Sequence, residues 1–476
     1  MKKTASALIL TTLLILSGTL RTYAETEIEG SETEEEVSAV VETNEIPNWP
    51  AGPDLNAESA FLFEANTGVI LYAKNIHEHL YPASTTKIMT ALLAAEHCKM
   101  DEIVNFSHDA VFSLESGSSN IGIDPGQSMP MEECLYGIMV ASANEVANAV
   151  AEHVAGDMDS FVKMMNDKAG ELDLQDTHFT NANGLFNEEH YTSAYDLGMI
   201  AREYFKNERL SRIGNTPRYH FVASPGQPDD FWVKNKHQLV NGDIPYEGIR
   251  GGKTGYTSEA GETLVTCAEA NGLKLICVIL KEESPDQFYD TVKLFDYGFG
   301  NFTVMNVADN EMKYTIESNN FFPTNVDILG NSEQILTLDE DNYIIMPKNI
   351  GFDDLQTEVS YDTTEEDEIA YIRYSYNGAY LGYGTVNVIG KKKHLPIDDN
   401  GITISSSDVE DTAVEPEIEP LFINVVNVIT YVVAVSGTIM IVSFLYSFVV
   451  NTNFLDRFRR HKRTRRRHRG DRKITF

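Results

Sequence analysis

Apolar and polar residues recur along this chain with two different periods, and the two kinds of segment interleave. Residues 135–154 and 159–172 carry apolar side chains at helical spacing and predict two helices. Residues 263–268 and 273–280 are apolar and rich in β-branched side chains, and the Asn271-Gly272 pair between them predicts a two-residue hairpin turn. Helices set among antiparallel strands predict a mixed α/β domain over residues 50–302. From 303 to 393 the texture changes. Segments such as YIIMPKNI, EIAYIRYSY and AYLGYGTVNVIG are β-branched, aromatic and separated by turn residues, which predicts a small all-β accessory domain.

One predicted helix carries a charge on its greasy side. In YPASTTKIMTALLA, which starts at Tyr81, a single helical face holds Ser84, Lys87, Ile88, Ala91, Leu92 and Ala95. The other large members of that face are apolar, so it should be buried, with an ammonium group inside it. Pro82 just ahead is a good helix starter and sets Ser84 near a helix N-terminus.

The bulk numbers add organisation. At 476 residues the chain exceeds one ordinary core. A net charge of -35 excludes a nucleic-acid partner, whose phosphates would be repelled. Lys2 and Lys3, an apolar stretch over 5–20 and Thr22-Tyr23-Ala24 read as a signal peptide over residues 1–24. Residues 25–49 are acidic and poor in aromatics, as a disordered linker is, and 394–420 read as an acidic stalk. Residues 421–450 contain no charged side chain and exceed the about 20 needed for a transmembrane helix. The tail over 451–476 is basic, from Arg457 and Arg459 to Arg467 and Arg469, and stays cytoplasmic by the positive-inside rule. Binding of that tail to anionic lipid is a second reading. The expected location is therefore the cell membrane, with the two larger modules outside. Cys98, Cys134, Cys267 and Cys277 lack metal-site spacing, and a core of this size needs no staples, so free buried thiols are expected.

The chain has no GxSxG and no HExxH. GIRGGKTG at 248–255 lacks the glycine spacing of a phosphate loop and runs into a strand pattern. Chemistry then rests on Ser84 and Lys87, which face the same way on a helix. A lysine held among Ile88, Ala91 and Leu92 is desolvated, its pKa falls, and its neutral amine can take the serine proton. Backbone N–H groups at the helix start favour developing negative charge. The plainer readings are an N-cap for Ser84 and a snorkelling side chain for Lys87. Ser142-Ala143-Asn144 reads equally as the start of a capping box with Glu145, and Lys253-Thr254-Gly255 as a solvated turn.

All three together, in this order, match the set SxxK, SxN and KTG. With the segments THFTNANGL, HYTSAYDLGMIAR and GGKTGYTSEAGETLV, the sequence resembles the D-alanyl-D-alanine carboxypeptidases of the low-molecular-weight penicillin-binding proteins. The resemblance covers most of residues 50–301. It implies the penicillin-binding transpeptidase and β-lactamase-like fold, an antiparallel sheet flanked by helices. It also implies a substrate, a peptidoglycan stem peptide ending in D-Ala-D-Ala, and covalent inhibition by β-lactams. By the same resemblance Ser84 is the nucleophile, Lys87 its base, Ser142 the relay to the leaving nitrogen and Asn144 the group that orients Lys87 or substrate. Lys253 and Thr254 are expected to hold the substrate carboxylate, Gly255 to let its backbone lie close, and the N–H groups of Ser84 and Tyr256 to form the oxyanion hole. No metal or cofactor is required. The family's usual S-G-N-D is Ser142-Ala143-Asn144-Glu145 here, which bears on substrate preference and deacylation rate. Three rivals remain: a serine β-lactamase, for which Glu171 is the one candidate deacylating carboxylate, a β-lactam sensor, and a degenerate scaffold.

Overall fold

A computed structural model of the chain describes residues 41–115, 117–311, 336–361 and 368–388. The expected signal segment, stalk, membrane span and basic tail lie outside the described residues, as does most of the acidic linker. Among the described residues no helix is long and apolar enough to cross a membrane. Residues 41–49 belong to the fold: Thr43 and Trp49 are buried, and Val41 bridges to Lys74.

The central element is an antiparallel sheet of β1 (Ser59–Glu64), β2 (Ile70–Lys74), β3 (Ile249–Thr257), β4 (Gly261–Ala270) and β5 (Leu273–Glu282), in the order β2-β1-β5-β4-β3. The predicted hairpin joins β4 and β5. Asn271 and Gly272 have φ of 52° and 79°, as the mirror-image turn of a tight hairpin requires. Alternate residues of these strands enter two different cores. Phe61, Phe63, Ile276, Val278 and Leu280 point to one face, and Ala60, Leu62, Leu275, Cys277 and Ile279 to the other. Burial on both sides is why β5 reads as an almost continuous apolar run.

The first face is covered by α1 (Lys87–His97), α2 (Asn144–Ala155), α3 (Met158–Glu171), α4 (Ala194–Lys206) and α5 (Glu208–Gly214), which supply Leu92, Val150, Phe161, Ile200 and Ile213. The second is covered by α6 (Asp286–Asn301), with Phe288, Leu294 and Phe295. Beyond it come β6 (Phe302–Asn306), β7 (Leu336–Leu338), β8 (Tyr343–Pro347), β9 (Gln356–Ser360), β10 (Glu368–Tyr376) and β11 (Ala379–Val388). β6 pairs with β8, and the others form a sheet in the order β7-β11-β10-β9. The three β-rich segments singled out in the sequence fall on β8, β10 and β11. Their Ile344, Ile372 and Leu381 join the same apolar cluster as Leu62 and Ile279, so these strands share a core with the central sheet.

Two sequence expectations meet the structure differently. The helix expected over 135–154 is broken. A helix over Met131–Tyr136 widens into one π-helical turn over Gly137–Ala141, Ser142 turns left-handed at φ 61°, and α2 starts afresh at Asn144. The apolar period runs unbroken through the break because both halves face the same core, so periodicity alone could not reveal it. The four cysteines are free; Cys134, Cys267 and Cys277 are buried, while Cys98 is half-buried. Cys267 and Cys277 stand one register step apart on the hairpin and point into opposite cores.

Candidate active site

Four segments far apart in the chain converge at one end of the sheet. The first is the 3-10 turn Ala83–Thr86 that leads into α1 and carries Ser84. Ala83 holds a positive φ of 49°, a conformation that costs a non-glycine residue on the order of 1 kcal/mol or more. The turn is held from outside. The hydroxyls of Thr85 and Thr263 both donate to Pro82 O, at 2.6 and 2.9 Å. Gly184, itself at φ 83°, packs so close that a Cβ there would lie 1.8 Å from Ala83 O. Only glycine permits that approach.

Lys87 opens α1 and is fully buried, as the apolar face requires. Its Nζ lies 2.9 Å from Ser84 Oγ, 2.6 Å from Asn144 Oδ1 and 2.5 Å from Asn183 O. Burial holds its pKa well below 10.5; Lys236 pushes the same way and Glu145 opposes. A neutral amine has two N–H donors and one lone pair. The Asn144 and Asn183 oxygens can only accept, so they take the two donors and leave the lone pair for the Ser84 hydroxyl. The sequence pointed to Asn144; the Asn183 carbonyl it did not, although THFTNANGL contains it.

Ser142 sits at the break before α2, buried and left-handed. It does not cap the helix: Ala143 is the N-cap and makes no side-chain bond. Glu145 is turned away from any capping box, and its Oε1 accepts the N–H groups of Ile121 and Gly122 at 2.6 and 3.2 Å. The partner of Ser142 is Lys253 on β3, whose Nζ lies 3.0 Å from Ser142 Oγ and 2.6 Å from Thr254 O. Lys253 is 1% exposed, so it is no solvated turn residue. Burial, then Lys87 and Lys236, hold its pKa well below the usual value. Two further buried bases back this cluster. Burial keeps His190 and His237 neutral, each lowered to about 3; His190 Nε2 pairs with Thr86 Oγ1 at 2.8 Å, and His237 Nε2 with Thr266 Oγ1 at 2.8 Å.

A cleft of about 430 Å³ opens in front of these groups, lined by Ser84, Ser142, Asn144, Thr254, Gly255 and Tyr256. Lys236 also lines it, and its Nζ donates to Ser119 Oγ at 2.6 Å. Lys87 and Lys253 stand behind this wall, with Lys253 Nζ on Ser142 Oγ. Nothing in the sequence around Lys236 signalled its position. β3 is the outer strand of the sheet, so among the described residues one side of its backbone has no partner strand. Gly255 on it presses against the nucleophile turn: a Cβ there would come within 2.8 Å of Ser84 N. Tyr256 follows, 64% exposed at the cleft mouth. Glu171 closes α3 away from this lining, 67% exposed and paired with Lys168 at 3.4 Å.

Comparison with known proteins gives the same picture at the level of the whole region. A D-alanyl-D-alanine carboxypeptidase of Bacillus subtilis, DacF, is 38% identical over 252 residues, which span 52% of this chain and 63% of that relative, just under two thirds of its length. DacD of Escherichia coli, also named as a D-alanyl-D-alanine carboxypeptidase, is 31% identical over 57% of this chain and 70% of its own. Among solved structures, penicillin-binding protein 5 of Haemophilus influenzae superposes with a TM-score of 0.58 over 71% of this chain and 98% of its own; at 24% identity that likeness concerns the fold. The model of the peptidase S11 family, described as D-alanyl-D-alanine carboxypeptidase, matches residues 46–284, and the chain belongs to that family of serine hydrolases.

Proposed function

We propose that this chain removes the terminal D-alanine from peptidoglycan stem peptides through an acyl-enzyme on Ser84. The observation that carries the reading is the burial of Lys87 with its Nζ 2.9 Å from Ser84 Oγ: burial favours the neutral amine, and the Asn144 and Asn183 oxygens take its two donors so that its lone pair meets the serine hydroxyl. The Ser84 oxygen bonds to the carbonyl carbon of the D-Ala-D-Ala bond while its proton passes to Lys87. The N–H groups of Ser84 and Tyr256 receive the oxyanion. As the tetrahedral centre collapses, the C–N bond breaks and Ser142 gives its proton to the departing D-alanine nitrogen; Lys253 reprotonates Ser142 and takes up the proton that Lys87 had acquired from Ser84, so Lys87 is neutral again. Water then opens the ester, with the amine again as base. A β-lactam enters the same sequence but keeps its leaving group tethered, so Ser84 stays acylated. D-alanine release from a pentapeptide ending in D-Ala-D-Ala, run beside fluorescent penicillin labelling, tests this; wild type inert in both assays would overturn it. The β-lactamase reading is weaker because Glu171, the carboxylate that the sequence offered for its deacylating water, is exposed and absent from the cleft lining.

Lys253 takes a modified part in this scheme. Its bond to Ser142 Oγ makes it the group that replenishes the relay, and Thr254 with Lys236 meets the substrate carboxylate at the cleft. Replacement of Lys253 by alanine should therefore lower kcat on the order of 10²-fold for carboxylate-ended and amidated peptides alike. Lys236→Ala should raise KM for the carboxylate form only. A carboxylate-selective loss in the Lys253 variant would return that residue to the clamp role.

The same proposal includes the setting. Export by the segment over 1–24, an extracytoplasmic catalytic module, an all-β accessory module after residue 302, and anchoring by a helix over 421–450 are supported by the sequence pattern. Cells making the full chain should retain it in the membrane fraction, and deletion of 421–476 should release it. Retention of the truncated form would sink the anchor.

A further inference from the structure

The two helices that carry the catalytic groups start in the active site and end together at a second polar cluster. Lys87 opens α1 and Cys98 caps its C-terminus; Asn144 opens α2 and His153 lies in its last turn. At about 1.5 Å per residue, these far ends lie roughly 15 Å from the chemistry. Glu102 joins them from the turn after α1, just ahead of the short strand Ile103–Asn105. Cys98 Sγ, a Glu102 carboxylate oxygen and a His153 ring nitrogen all lie within 4.8 Å of one another. Glu102 Oε2 is 3.1 Å from His153 Nε2, and its Oε1 accepts the Lys99 N–H at 2.8 Å. None of the three has a part in the acyl transfer.

We propose that Cys98, Glu102 and His153 bind a zinc-class divalent cation that clamps the C-terminal ends of α1 and α2. The donor set is one thiol, one imidazole and one carboxylate, each a common zinc ligand; Cys98 and Glu102 come from the end of α1 and the turn after it, and His153 from the last turn of α2. Ligand atoms around a tetrahedral zinc stand about 3.3–3.8 Å apart, so side-chain rotations alone bring this trio into range. The Lys99 N–H already orients the Glu102 carboxylate, as outer-shell donors do in metal sites. All three side chains are half-buried. Cys98 also lines an open cleft of about 1080 Å³, which lets solvent and a cation reach its thiol; Asp101, Glu132, Glu133 and Glu208 line that cleft together with Lys99 and Arg209. Binding replaces the thiol proton with the metal, and that proton leaves to solvent.

The test uses the untagged full chain in detergent, stripped with chelator and titrated with Co²⁺ as a coloured stand-in. Wild type should take up one Co²⁺ with a thiolate-to-cobalt band in the near ultraviolet, and Zn²⁺ should displace it. Cys98→Ser should lose the band, and His153→Gln and Glu102→Gln should each weaken binding at least tenfold. Saturating Zn²⁺ should raise the wild-type Tm by several degrees and leave that of Cys98→Ser unmoved. Penicillin labelling of each variant confirms an intact fold without depending on the metal. Absence of a thiolate band in wild type would overturn the site. So would its survival in Cys98→Ser, where only the buried Cys134, Cys267 and Cys277 remain.

Discussion

Replacing Ser84 by alanine should abolish both D-alanine release and covalent labelling by fluorescent penicillin. The loss expected is on the order of 10⁶-fold in kcat, the size found when a serine hydrolase loses its nucleophile. No second hydroxyl can substitute. Ser142 Oγ is committed to Lys253 Nζ, and Thr85 and Thr86 hold Pro82 O and His190. The turn itself is fastened by those threonines and by Gly184, so removing one partly exposed hydroxyl should leave the Tm within about a degree. A folded variant that still labels and still releases D-alanine would remove Ser84 from the mechanism.

Replacing Lys87 by methionine should lower acylation by on the order of 10³-fold or more, with the fold retained, because methionine fills a similar volume on the same apolar face. The pH behaviour separates a base from a mere packing residue. With its pKa held down by burial, wild-type Lys87 loses its proton well below 10.5, so kcat/KM should rise with pH along a limb set by that depressed value. Stability follows the same group. Between the depressed native pKa and the ordinary unfolded one, the unfolded chain binds one more proton than the native chain. Native stability therefore rises with pH across that window and levels off above the unfolded value. The variant should lack this contribution. Its slope should be shallower but not flat, since Lys253 is held down in the same way. Denaturant midpoints followed from neutral to alkaline pH check this. An unchanged slope in the methionine variant would mean that Lys87 carries its proton in the native state.

Much of this was legible in the sequence, for identifiable reasons. The Asn271-Gly272 turn and the two flanking runs are local, and their backbone chemistry admits few alternatives, so β4 and β5 stand where the pattern put them. The buried lysine was visible because a single cation on an apolar face is an energetic conflict that requires a use. The order SxxK, SxN, KTG identified a family that the comparison then showed.

What the sequence could not convey are the features that depend on which groups face each other. The break at Ser142 is imposed by packing on both sides of a continuous apolar period. The second acceptor for Lys87 is the backbone carbonyl of Asn183, and a carbonyl has no residue identity to read. A lysine beside a threonine suggests an anion clamp, but the sequence could not convey that Lys253 is buried with its Nζ 3.0 Å from Ser142 Oγ. Cys98, Glu102 and His153 show no metal-site spacing because α2 comes back beside α1 only in three dimensions. The sequence alone determined the hairpin of β4 and β5, the apolar face that buries Lys87, and the family. The tertiary structure decided the direction of each buried polar group, because that direction minimises unpaired donors and acceptors over contacts dozens of residues apart.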